Sequence, residues 1–97
     1  MYYSLSGIGE MVQTIENITK KHMLISYREE FHAEVVLDLR KNGSSQTCKI
    51  EFSLELTPLG SKNIRVQFLD NLEYPLIPVI RELKNHISEM DRSGRLP

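Results

Sequence analysis

Three histidines, a single cysteine and a crowd of carboxylates are the side chains of this sequence with chemistry to offer. His22, His32 and His86 titrate near neutrality. A metal or acid–base site needs several such groups converging. These three fall on three different predicted elements and on both sides of the predicted sheet, so each reads as structural or solvent-exposed. Cys48 alternates with apolar residues, the pattern of a buried and inert thiol. Glu34, Asp38, Glu51 and Glu55 share one predicted face. Paired carboxylates do acid–base work where surroundings split their pKa values. Here Arg40, Lys49 and Arg65 stand among them, which reads as a solvated charge lattice.

Motifs add nothing to that list. Residues 6–11, SGIGEM, lack the G-x-G-x-x-G spacing and a preceding strand, and no G-x-x-x-x-G-K-[ST] occurs. G-x-S-x-G and H-E-x-x-H are absent as well. The expectation is a chain without catalytic residues, cofactor or metal.

Composition sets the wider bounds. The chain has 97 residues, 40% apolar and 26% charged, with a formal charge of −1. That is ordinary for one soluble domain able to fold without staples. Proteins that live on nucleic acid usually show a basic excess, which is missing. One cysteine permits no internal disulfide. The first residues lack the basic start and apolar run of a signal peptide. No stretch nears the roughly 20 apolar residues of a membrane span. A cytoplasmic protein is expected, with a domain over 1–92 and a short flexible tail over 93–97.

The elements that must position these groups come next. Ile8, Met11, Val12, Ile15 and Ile18 recur at helical spacing, so a helix is predicted over 8–21. Residues 23–30 read either as a short strand or as an extended link. In residues 31–40, Phe31, Ala33, Val35, Leu37 and Leu39 alternate with polar positions, the pattern of a half-buried strand. A turn follows near Asn42 and Gly43. Cys48, Ile50, Phe52, Leu54 and Leu56 alternate again, and Ile64, Val66 and Phe68 give a third strand. Opposite charges favour a register with Leu39 opposite Cys48 and Asp38 opposite Lys49, then Leu56 opposite Ile64 and Glu55 opposite Arg65. Leu76, Val79, Ile80, Leu83, Ile87 and Met90 form the stripe of a last helix. Pro75 and Pro78 sit in its first turn, where missing N–H groups cost nothing.

Together these give an α+β fold with two layers. A three-stranded antiparallel meander carries an N-terminal and a C-terminal helix packed on one face. The other face is polar, mixed in sign and bare.

The order helix, three strands, helix resembles the topology of double-stranded-RNA-binding domains and of the ribosome-hibernation factors similar to them. That resemblance implies phosphate contacts from basic residues, for which Lys41, Lys62, Arg81 and Lys84 are the candidates. The leading expectation is instead a non-enzymatic protein-interaction module, self-associating as a homodimer or acting as an adaptor. Its candidate partner surface is Tyr2, Tyr3 and Leu5, with His32, Val36 and Leu69 on the bare sheet face.

Overall fold

The computed structural model describes residues 11–22, 27–39, 44–71 and 76–97. The expectations for Tyr2, Tyr3, Leu5, Arg40, Lys41, Pro75, the Asn42-Gly43 turn and residues 23–26 lie outside these. Among the described residues five elements follow in order: β1 (Val12–Lys20), β2 (Arg28–Leu39), β3 (Ser44–Leu56), β4 (Lys62–Phe68) and α1 (Leu76–Arg92). The strands form one antiparallel sheet in the order β1-β2-β3-β4. The chain is therefore four strands and a single C-terminal helix, not three strands between two helices.

The expected N-terminal helix is an edge strand, and its sequence shows why the two can be confused. Val12 lies opposite Leu37 and Ile15 opposite Val35, with one register shift between Val12 and Thr14 and another between Glu16 and Thr19. Each shift is a β-bulge, an extra residue in one strand that interrupts the two-residue side-chain alternation. Two bulges thus bring the core-packed residues to positions 12, 15 and 18, a spacing that imitates a helix. Asn17, inside the second bulge, has φ 52°, a left-handed conformation that asparagine tolerates better than most residues. Val12, Thr14, Ile15, Ile18 and Thr19 are all β-branched, which suits the strand.

The other strands run longer than their alternation suggests, and their registers differ from the expected ones. Leu37 faces Gln46, Val35 faces Cys48 and Phe31 faces Phe52. The ladder continues to Arg28 opposite Glu55, so the end of the ambiguous 23–30 segment belongs to β2. Glu34 meets Lys49 and His32 meets Glu51, which leaves charges complementary over a longer pairing than the predicted register allowed. On the other side Leu56 faces Lys62 and Ser53 faces Arg65. The loop between β3 and β4 closes with Gly60 N–H donating to Thr57 C=O at 2.9 Å. Gly60 there has φ 89°. Both register errors are even-numbered slips, so the same side chains still face the core.

The core is one cluster. Phe31, Val35, Leu37, Cys48, Ile50, Phe52 and Leu54 from the sheet pack with Val79, Leu83 and Ile87 of α1. The Phe31 and Phe52 rings stack with centroids 4.8 Å apart and planes 14° from parallel. The helix is tied to both edges of the sheet. Glu82 accepts the Met11 and Val12 amides at the start of β1, and Asp91 receives Lys62 of β4 at 2.8 Å. Its C-terminus is a Schellman closure. Arg95 N–H bonds Met90 C=O at 2.9 Å and Gly94 N–H bonds Asp91 C=O at 3.2 Å, with Gly94 at φ 72°. Leu96, in the segment expected to be a tail, then packs against the core. No helix among the described residues is long and apolar enough to cross a membrane.

Candidate functional site on the open sheet face

α1 covers one side of the sheet and leaves the other open. Register places the charged residues of that open face side by side: His32 opposite Glu51, Glu34 opposite Lys49, Glu30 opposite Ser53, and Ser53 opposite Arg65. They form a network. His32 Nε2 is 2.7 Å from Glu51 Oε2, and Lys21 Nζ reaches the same oxygen at 3.3 Å and Glu30 Oε1 at 3.5 Å. Arg28 Nε lies 3.0 Å from Glu30 Oε2. The hydrogen bond to His32, and then that to Lys21, hold the Glu51 carboxyl below the usual carboxylate range.

Two hollows open on this face. The larger, about 350 Å³, is lined by Lys21, Arg28, Glu30, Glu51, Arg65 and Gln67, with Ser53 beneath them. Ser53 is only 6% exposed, the sole buried polar residue among the described ones. The smaller, about 230 Å³, is lined by Asn17, His32, Glu34, Lys49 and Leu69 together with backbone neighbours. The His32–Glu51 pair stands between the two hollows, His32 lining one and Glu51 the other.

The arrangement lends itself to binding. Ser53, His32 and Glu51 share the open face, but His32 Nε2 is engaged by Glu51, and no bond joins it to Ser53 among the described residues. A serine nucleophile needs that contact. Cys48 is fully buried behind the sheet, and burial, then the Asp70 charge, push its thiol pKa up. Among the described residues no group of three or more His, Cys, Asp or Glu side chains comes together to hold a metal ion.

A protein-family model matches residues 8–92, which is most of the chain. The chain belongs to that family. The family's name is a serial designation that states no activity, ligand or partner. No curated protein and no solved structure matches this family member.

Of the residues singled out from sequence, His32 and Leu69 come together in the smaller hollow, Leu69 being 47% exposed. Val36 lies half-buried on the same face, outside that hollow. The basic candidates do not converge. Lys62 is held by Asp91, whereas Arg81 and Lys84 are exposed on α1, on the other layer. The helix–strands–helix topology that resembled RNA-binding domains is not the fold observed. The larger hollow escaped sequence reading because two of its cations were misplaced. Lys21 counted as part of a helix and Arg28 as part of an undecided link. The signal was present in Arg28-Glu29-Glu30, whose charges continue the alternation of β2.

Proposed function

We propose that this chain is a small non-enzymatic protein-interaction module that pairs with a second copy of itself through the β4 edge. The supporting observation is the contrast between the two sheet edges. β1 carries two bulges and a left-handed residue, features that twist an edge away from further pairing. β4 has neither a bulge nor a proline. Leu69 N–H bonds Lys49 C=O, so by alternation the amides and carbonyls of Ile64, Val66 and Phe68 point outward. They have no backbone partner among the described residues.

Charge supports one arrangement of this edge against itself. A two-fold axis at Val66 sets Lys62 opposite Asp70 and Ile64 opposite Phe68 of the second copy, with Arg65 opposite Gln67. Moving the axis to Arg65 would instead set arginine against arginine. Sedimentation at graded concentration tests the reading, with the exposed change Gln67→Arg as the probe. The dimer is expected to weaken on that change, because each interface then holds two arginine pairs of like charge at up to about 1 kcal/mol each. A wild-type chain that stays monomeric at millimolar concentration would overturn self-pairing.

A further inference from the structure

We infer that the larger hollow on the open sheet face binds a carboxylate group of a partner protein, through Arg65, Ser53 and Gln67. The inference rests on the interaction-module reading and names the chemistry of what this face receives.

Its basis is a separation between groups that are occupied and groups that are not. Both acids of the hollow are engaged by the chain's own cations. Glu51 holds His32 and Lys21, and Glu30 holds Lys21 and Arg28. What is left over donates. Arg65 makes no ion pair among the described residues, and neither its guanidinium nor the Gln67 amide has a side-chain partner there. Ser53 lies directly opposite Arg65, is 6% exposed, and its hydroxyl has no hydrogen-bond partner among the described residues. Arg28 Nε is buried without a hydrogen-bond partner, since its N–H is not aligned on the Glu30 oxygen it approaches. Buried polar groups are rarely left unpaired, and each one needs an explanation. Every unfilled position in this hollow calls for an acceptor.

The charge balance selects the kind of acceptor. Lys21, Arg28 and Arg65 against Glu30 and Glu51 leave one formal positive charge in the lining. One carboxylate neutralises it. A phosphate dianion would overcompensate and would face two carboxylates already in place. An arginine fork with an adjacent hydroxyl suits a planar carboxylate, which accepts two parallel N–H bonds. A hollow of about 350 Å³ accommodates an acidic side chain or a chain terminus, at the small end of ligand sites.

The test is a titration of the ¹⁵N-labelled full chain followed by NMR, including arginine Nε signals. The probes are N-acetylglycine for a terminal carboxylate, N-acetylglutamate α-amide for a side-chain one, inorganic phosphate, and sodium chloride at matched ionic strength. Saturable shifts at Ser53, Arg65, Gln67 and Arg28 Nε are expected with one or both carboxylates. Arg65→Gln should weaken the binding at least tenfold, and Arg65→Lys should not restore it. Both changes are at an exposed position, and retained spectral dispersion reports an intact fold. Shifts that track ionic strength alone, tighter binding of phosphate than of either carboxylate, or unchanged binding in Arg65→Gln would overturn the site. If carboxylates fail while sedimentation shows the β4 dimer, the site falls and the module reading stands. If carboxylates bind a chain that never associates, the self-pairing reading falls and the site stands.

Discussion

Glu82 of α1 accepts the Met11 amide through both carboxylate oxygens, at 2.8 and 3.0 Å, and the Val12 amide through one of them at 3.0 Å. A helix side chain thereby terminates an edge strand that lies far from it in the chain. Met11 also gives its carbonyl to Asp38 N–H at 2.7 Å, so the start of β1 is held from the helix and from β2 together. Glu82→Ala is expected to cost about 1.5–3 kcal/mol, the range for hydrogen bonds to a charged group. Urea unfolding measures the loss. Amide exchange should accelerate first at Met11 and Val12. Lys62→Ala, at the opposite tie, breaks a more exposed ion pair and should cost under about 1 kcal/mol.

Asn17 decides which way β1 faces. Its left-handed backbone should make Asn17→Val destabilising by about 1–2 kcal/mol, and that change also removes the 2.6 Å bond from its amide to Glu34. Asn17→Gly keeps the backbone freedom and should cost less. Deleting Asn17 is the sharper experiment, because it removes a bulge residue and turns Val12 and Ile15 to the open face. Thermal unfolding should place the three variants in the order Gly, Val, deletion, from most to least stable.

The core supplies a contrast in burial. Leu83 is 0% exposed, whereas Leu59 at the tip of the β3–β4 loop is 95% exposed. Leu83→Ala should lose about 2–5 kcal/mol, as buried leucines do. Leu59→Ala should stay within about 0.5 kcal/mol of the parent. Chemical denaturation of both variants checks the pair.

Glu51 gives a dependence on pH. Its carboxyl pKa is lowered in the folded chain, first by His32 and then by Lys21. A lowered carboxyl pKa contributes stability above its unfolded value, and that contribution disappears as pH falls through the folded value. The group is exposed, so the effect on unfolding is small, and the direct measurement is its side-chain carboxyl titration by NMR. His32→Ala should raise the Glu51 pKa toward the ordinary carboxylate range. His32→Ala with Lys21→Ala should raise it further.

Cys48 should resist alkylation in the folded chain. It is fully buried, and its thiol pKa is raised, so little thiolate is present at neutral pH. Iodoacetamide should label it slowly in buffer and quickly in denaturing urea.

Much of this fold was legible in the amino-acid order because faces follow from local period alone. Phe31, Ala33, Val35 and Leu37 alternate, as do Cys48, Ile50, Phe52 and Leu54, and all are buried. Val79, Leu83 and Ile87 recur at four-residue spacing and form the buried line of α1. The polar character of the open face was equally plain, including His32 and Leu69. Sequence alone determined which side chains face inward on β2, β3 and α1, because each of those elements keeps one period throughout.

Tertiary structure decided the rest. The 12, 15, 18 spacing fits both a helix and a doubly bulged strand, and the choice was made by pairing with β2 and by the Glu82 cap on Met11 and Val12. Strand register was equally open, since an even-numbered slip leaves every face unchanged and only the full length of the ladder selects one pairing. The larger hollow depends on both decisions. Lys21 reaches Glu51 only because β1 is a strand beside β2. Ser53 lies between Glu30 and Arg65 only in the observed registers. Local period carries the direction of a side chain, and only the assembled sheet carries its neighbours.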